Sequence, residues 1–434
     1  MDEETIFAQA TAPGKAGVAV IRISGPLADS ALSALAGPLP EPRRMVLRRV
    51  ANPSNGETLD HALVVRFAAE ASFTGEPTAE LHLHGSAAVV RSVLDALAKM
   101  EGLRPAEPGE FTRRALLNGR MDLAQVEGLS DLLAAETEAQ RLQAMRVMEG
   151  GLSRLVDHWR ERLIRAAALI EAGIDFADED LPAGLLDGAA DAMETVLAEV
   201  KAELSGAQAA ERIREGFRVA ILGRPNSGKS TLLNALAKRD AAIVSEHAGT
   251  TRDVIEVHLD LWGLPVTFLD TAGLRETDDP VERIGIERSR KAAENADVRL
   301  WLQEIDDGAE PEIALSDADL FVISKADRGS APDGLAVSAL TGKGVDLLLE
   351  TLFNRLRATA QTSSHVIRVR QRVALERGAE ALERCLSLAR SGIGEPEILA
   401  EELRYALRQL EALIGRVDVE DLLDDVFASF CIGK

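Results

Sequence analysis

Residues Gly223-Arg224-Pro225-Asn226-Ser227-Gly228-Lys229-Ser230 follow an apolar run, Phe217 to Leu222, and precede a helical pattern, Thr231 to Ala237. Few strings restrict a fold so strongly. A strand must enter a tight turn, its glycines must let backbone N–H groups converge, and a helix must start at once. Such a turn wraps phosphate oxygens, aided by the partial positive charge of the helix start. The predicted phosphate contacts are Asn226, Ser227, Gly228, Lys229, Ser230 and Thr231, with Lys229 reaching the β- and γ-phosphates and Ser230 ligating Mg²⁺.

Two further segments fit the same ligand. The polar loop Ser245-Glu246-His247-Ala248-Gly249-Thr250-Thr251 precedes an alternating strand, Val254 to Leu261, and Thr251 is positioned to close on the γ-phosphate and Mg²⁺. A second strand, Pro265 to Leu269, ends in Asp270-Thr271-Ala272-Gly273, where Asp270 can hold Mg²⁺ through water and the Gly273 N–H can sense the γ-phosphate. The base is read farther on, after a strand from Leu320 to Ile323, by Ser324-Lys325-Ala326-Asp327. A carboxylate at Asp327 accepts both donors on guanine's N1/N2 edge, where adenine presents a mismatched pattern, and Ser338 and Ala339 supply backbone near the guanine oxygen. Together these favour GTP over ATP.

A chain of 434 residues exceeds one hydrophobic core, so several domains are expected. The first stretch, with β-type runs Gly17 to Ile23 and Leu63 to Phe67, reads as a small α+β domain, 1–115. Within it, Glu80, His82 and His84 alternate with leucines, which places the polar side chains on one strand face and leaves a histidine metal pair as a minor alternative. Helical spacing then runs from Leu116 to about Ile174, is interrupted by the acidic segment Asp175 to Gly188, and resumes from Ala189 to Ile213. It returns through Val373 to Ala389 and Ile398 to Ile414. The expected organisation is therefore a helical domain in two parts, 116–213 and 359–434, with an α/β nucleotide domain, 214–358, inserted between them. Three domains in tandem is the other arrangement these patterns allow.

The formal charge of −22 argues against a general positive field that coats nucleic acid, so RNA contacts must be local. Candidate patches are Arg43, Arg44, Arg48 and Arg49, then Arg113, Arg114 and Arg120, and finally Arg368, Arg370 and Arg372. Two cysteines, Cys385 and Cys431, do not make a disulfide framework. The acidic start and the lack of any apolar run of about 18 residues predict a cytoplasmic protein without a membrane span.

The nucleotide motifs resemble those of translation-factor-like GTPases, whose base-reading motif is usually Asn-Lys-x-Asp; Ser324 departs from it, which is expected to weaken the ties between this loop and the phosphate loop. Other segments narrow the likeness. Ala10-Thr11-Ala12-Pro13-Gly14, Val20-Ile21-Arg22-Ile23-Ser24-Gly25, Gly109-Glu110-Phe111-Thr112-Arg113-Arg114-Ala115, Asn118-Gly119-Arg120-Met121-Asp122-Leu123 and Phe430-Cys431-Ile432-Gly433-Lys434 are similar, in order, to the tRNA-modification GTPase family called MnmE or TrmE.

That resemblance implies a homodimer with a folate-binding N-terminal domain, a helical domain and an inserted P-loop GTPase domain. It implies a heterotetramer or larger complex with an FAD-containing partner, MnmG (GidA), that adds an aminomethyl-type group to the wobble uridine of tRNA. Leu274 stands where many GTPases carry a water-orienting glutamine, and the resemblance passes this task to Glu282. It also implies K⁺ at Asn226, Ser245, His247 and Thr250, offsetting charge during transfer, with two GTPase domains meeting across their nucleotides. The implied contacts of 5-formyl-tetrahydrofolate, or a related one-carbon folate, are Arg22, Glu80, Arg120 and Lys434, and Cys431 becomes either a functional thiol or a small buried hydrophobe. The competing readings are an Era-like GTPase switch in ribosome maturation and a folate aminomethyltransferase regulated by its GTPase domain.

Overall fold

The computed structural model describes residues 4–175, 185–239, 241–243, 256–270, 291, 293–305, 307, 316–329, 334–360, 364–391, 396–416, 427, 430 and 433. These form two compact units, one of Met1–Ser130 with Glu411–Lys434 and one of Asp131–Leu410.

In the first unit, β1 (Thr5–Gln9), β2 (Val18–Ser24), β3 (Val46–Ala51), β4 (Thr58–Phe67), β5 (Thr78–His84) and β6 (Leu103–Pro105) form one sheet in the order β3-β4-β5-β2-β1-β6. Only β1 and β6 run parallel; the other neighbours are antiparallel. Alternation decides which side is covered. Ile21, Ile23, Leu81 and Leu83 point to α1 (Ala28–Ala36) and α2 (Ala87–Leu97), where they meet Leu32, Leu35, Val93 and Leu97. Each such side chain contributes roughly 1.5–3 kcal/mol by leaving water. Ile6 and Ala8 instead meet Phe111 of α3 (Glu110–Leu117).

The C-terminal residues belong to this unit. Phe427 and Phe430 join Leu123 and Val126 of α4 (Leu123–Ala134) in one cluster. Gly433, at φ +100°, lies so close to β1 that an added Cβ would stand 2.1 Å from the Gln9 carbonyl oxygen. A side chain there is sterically excluded.

In the second unit, α6 (Gly151–Asp175) packs along α7 (Leu185–Glu215) through Leu152, Val156, Trp159, Leu163, Ala166 and Ile170, a three-and-four spacing that lines one face. The Trp159 indole N–H donates to Glu199 at 2.9 Å, which satisfies its buried polar end. α7 begins four residues before the Ala189 expected from sequence. Gly188, read there as part of a connection, is an exposed residue inside the helix, and burial of Ala189, Met193, Val196 and Val200 on the same helix outweighs its low helical propensity.

The sheet of this unit is β7 (Phe217–Gly223), β8 (Ala242–Ile243), β9 (Glu256–Leu261), β10 (Leu264–Asp270), β11 (Val298–Glu304) and β12 (Leu320–Ser324), in the order β12-β11-β7-β10-β9-β8. β7 is central and parallel to both β10 and β11. The chain enters this sheet directly from α7 and returns past helix Val345–Ala360 to a segment that is fastened to α7 as well. Glu203 accepts from the Ser364 hydroxyl and the His365 N–H, at 2.9 and 2.8 Å, and Arg214 donates to the Ile367 carbonyl at 3.1 Å. A further helix, α5 (Glu138–Met148), is capped by Thr137 and Gln140, and Gln140 also donates to the Arg214 carbonyl at 3.1 Å.

Each of the three arginine patches contributes to ion pairs, the first only through the exposed pair Arg44–Glu41. Arg114 is buried between Glu76 and Glu110, and Arg368 and Arg372 pair with Asp131, Glu211 and Glu376. Among the described residues no helix is long and apolar enough to cross a membrane.

Asp319, at the start of β12, accepts from Arg299 and from the Ser316 N–H and hydroxyl. Burial raises its pKa, but these donors outweigh burial and bring it down from 3.8 to about 2. A depressed carboxyl stabilises the fold fully above its unfolded value and ceases to do so as pH falls through the folded value. Between pH 4 and pH 2 the stability of Asp319→Asn should therefore decline less than that of the parent in pH-dependent urea unfolding; equal declines would contradict the pairing.

Candidate functional site: a phosphate loop and a base pocket

At β7 the strand order changes direction, since β10 lies on one side and β11 on the other, and such switch points leave a crevice at the carboxyl ends of the strands. The phosphate loop opens there. Gly223, at φ +145°, has the Leu302 carbonyl oxygen only 2.3 Å from where a Cβ would stand, so only glycine lets β7 leave the sheet beside β11. Asn226 takes φ 65°, a left-handed conformation that asparagine tolerates better than most residues, and Gly228, at φ +96°, caps α8 (Lys229–Ala237). The first backbone N–H groups of that helix have no partner within it, which leaves them available to an anion.

Lys229 is buried, and its Nζ donates to the carbonyls of Gly223 and Arg224 at 2.8 and 2.9 Å. Burial pushes its pKa below the ordinary lysine value, partly opposed by the Asp270 carboxylate. An ammonium held by carbonyls alone still lacks a full counter-charge nearby, and phosphate oxygens supply one. The Ser230 hydroxyl donates to Asp270 Oδ2 at 2.8 Å. Among the described residues, Asp270 Oδ1 and Ser227 Oγ are buried without a hydrogen-bond partner. Burying such atoms unpaired is costly, and a cation beside Asp270 with phosphate beside Ser227 would satisfy both. The donor set therefore fits Mg²⁺, with Ser230 and Asp270 as the described residues able to hold it.

A cavity of about 200 Å³ adjoins the loop, lined by Gly228 and Thr231 on the phosphate side and by Ser324, Lys325, Asp327 and Ala339 on the other. Asp327 is exposed, and its Oδ1 accepts from the Ser338 hydroxyl at 2.6 Å, which holds its carboxyl below the usual range. The two turns that carry these residues are tied by backbone: Ala326 N–H donates to Val337 O at 3.1 Å, and Val337 N–H to Ile323 O at 2.7 Å. Ser324 donates to the Gln303 carbonyl on β11, at 3.2 Å. Lys325 sits at φ 58° with its ammonium on Glu304, at the end of β11. A left-handed non-glycine residue costs about 1–2 kcal/mol, and such strain gathers at functional turns.

In the first unit, Arg22 and Glu80 face each other across β2 and β5. Arg22 Nε donates to Glu80 Oε1 at 3.0 Å, and the guanidinium lies 5.7 Å from the ring centres of both Phe73 and Phe111. Glu80 Oε2 is 3.2 Å from His82 Nε2, whereas His84 turns to Asp60, at 2.7 Å. The polar strand face read from sequence is present, but its two histidines serve different carboxylates. Among the described residues no cluster of histidine, cysteine, aspartate or glutamate is arranged to hold a metal ion. Arg120 lies beside the loop that carries Phe73, with its Cγ 3.2 Å from where a Gly75 Cβ would be. Gly433 abuts Gln9, one strand pair from the Ala8–Arg22 pair. The pair Arg22–Glu80 offers donors and acceptors side by side, chemistry that suits an anion-tailed heterocycle.

Ser245, Glu246, His247, Ala248, Gly249, Thr250, Thr251, Thr271, Ala272, Gly273, Glu282, Cys431 and Lys434 lie outside the described residues. Glu304 went unnoticed in the sequence. Its role depends on β11 lying in register with β12, which no local pattern displays.

The family described as "MnmE helical domain" matches residues 123–431, and "GTP-binding protein TrmE N-terminus" matches residues 5–120. Curated relatives called tRNA modification GTPase MnmE are similar over nearly the whole chain. One from Cereibacter sphaeroides is 56% identical over 434 residues, covering 99% of this chain and 100% of the relative. One from Ruegeria pomeroyi is 53% identical, with 99% and 100% covered, and one from Beijerinckia indica is 51% identical, with 99% and 96% covered.

Removing the Ser230 hydroxyl leaves Asp270 Oδ2 without this donor and would take one ligand from a Mg²⁺ ion held there. Ser230→Ala is expected to speed GDP release in Mg²⁺ by about tenfold while leaving release in EDTA unchanged, followed by stopped-flow fluorescence of labelled GDP. A variant as sensitive to Mg²⁺ as the parent would contradict this placement.

Proposed function

Because this chain belongs to the MnmE (TrmE) family of tRNA modification GTPases, we propose that it hydrolyses GTP as one component of a folate-dependent system that modifies the wobble uridine of tRNA. The observation that carries this reading is identity spread over 99% of the chain together with a phosphate loop and guanine-type pocket meeting at one sheet switch point.

In this reading Lys229 and the N–H groups at the start of α8 hold the phosphates, Ser230, Thr251 and, through water, Asp270 hold Mg²⁺, and Asp327 reads the base. The metal supplies charge neutralisation at the phosphates. K⁺ would take oxygen ligands from Asn226, Ser245, His247 and Thr250 and would offset further charge. With Leu274 in the place of a hydrogen-bonding side chain, Glu282 orients the attacking water. Arg22, Glu80, Arg120 and Lys434 would bind the folate: the cations face its glutamate tail and Glu80 pairs with the pterin's donor edge. Cys431 would be either a functional thiol for the one-carbon group or a small buried hydrophobe. The partners of this scheme are tRNA, the FAD-containing MnmG protein and a second copy of the chain.

No observation favours the ribosome-maturation switch. The third arginine patch, which such a switch would need after its GTPase domain, has Arg368 and Arg372 in ion pairs with Asp131, Glu211 and Glu376.

Nucleoside analysis of tRNA decides between the two. Cells lacking the chain should lose the modified wobble uridine, the parent should restore it, and Glu282→Ala should not. Normal tRNA alongside defective ribosomal particles would overturn the assignment.

A further inference from the structure

The base-reading turn begins with Ser324, where the wider GTPase class carries an asparagine, yet the turn is held firmly from β11. Ser324 and Glu304 are direct partners in the β11–β12 register. The Ser324 hydroxyl donates to the Gln303 carbonyl, at 3.2 Å, so the shorter side chain anchors to the neighbouring strand. One residue on, Lys325 takes φ 58° and directs its ammonium to the Glu304 carboxylate, while Arg328 approaches the other carboxylate oxygen at 3.9 Å. Glu304 thus holds the turn through Lys325, with the exposed Arg328 at the limit of an ion pair on the other side of Asp327.

We propose that Glu304 is a positioning residue for guanine recognition, bracing the Ser324–Asp327 turn from β11 in place of the missing asparagine, a role that rests on the assignment of base recognition to Asp327. The side chains of Glu304 and Lys325 are only 27% and 23% exposed, so water screens their attraction less than it would at the rim. Asp327 is fixed on its far side by Ser338, at 2.6 Å. Lys325 and Asp327 line the same cavity, so the ion pair on β11 and the hydroxyl of Ser338 set the base-reading carboxylate from two directions. Without Glu304, the left-handed Lys325 loses its carboxylate partner, the turn relaxes, and Asp327 spends less time where both guanine donors can reach it. The effect belongs mainly in the dissociation rate.

The test uses the full-length protein and fluorescent GDP. Glu304→Gln keeps the side-chain shape and removes the charge; the dissociation constant should rise about tenfold. Adding Ser324→Asn to that chain should recover most of the loss, whereas Ser324→Asn alone should change affinity by less than roughly threefold. Loss without recovery would mark Glu304 as merely structural and contradict the proposal. Asp327→Asn serves as the control, because an amide can donate to the C2 carbonyl of xanthine where the carboxylate accepted from guanine's amino group. If it trades GDP for xanthosine diphosphate while Glu304→Gln binds GDP like the parent, the brace is wrong and the base site stands. If Asp327→Asn binds GDP like the parent, the base site fails and the brace with it.

Discussion

A lysine ammonium buried against two backbone carbonyls organises the second unit. Lys229 can reach the Gly223 and Arg224 oxygens only because Gly223 admits a carbonyl of β11 where any other residue would place a Cβ, and because Gly228 turns left-handed before α8. The same turn aims the helix start at the crevice between β10 and β11 and leaves Ser230 beside Asp270. β10 is buried along its whole length, so Asp270 is carried to that crevice on a strand with little freedom to move. The candidate phosphate and metal sites thus both follow from one strand–helix junction.

The first unit reaches its polar site differently. Its sheet is mainly antiparallel, one side buried under α1 and α2 and the other set with Arg22, Glu80 and His82. Charges there are kept by pairing. Glu110 is buried, which raises its pKa, but Arg104 and Arg114 more than compensate and hold it ionised below the ordinary glutamate value. Arg114 also meets Glu76, whose loop carries Phe73 to the Arg22 guanidinium. A buried network of this kind fixes geometry more than it adds stability.

Much of this was legible from sequence, and the reasons differ by element. β7 and α8 were read to within two residues, because the phosphate loop's chemistry dictates both neighbours. Alternation placed Glu80 and His82 on one face of β5, yet it could not tell that His84 would turn to Asp60 on another strand. The helical reading from Leu116 missed the separate helix Glu110–Leu117, which ends before a left-handed Gly119 at φ 66°. It also started α7 late, since a glycine and acidic residues argue locally for a connection, while burial of Ala189, Met193 and Val196 beyond them is a tertiary fact. The departure at Ser324 was plain in the sequence. Its compensation by Gln303 and Glu304 depends on the pairing of β11 with β12, and a register between distant segments leaves no local trace.

The central claim is that the junction of β7 and α8 holds a guanine nucleotide by its phosphates. Titration calorimetry of the full chain with GDP and Mg²⁺ tests it most directly: one site per chain is predicted, with affinity reduced by at least about tenfold in Lys229→Ala. No heat from GDP, or equal affinity in parent and variant, would contradict the account.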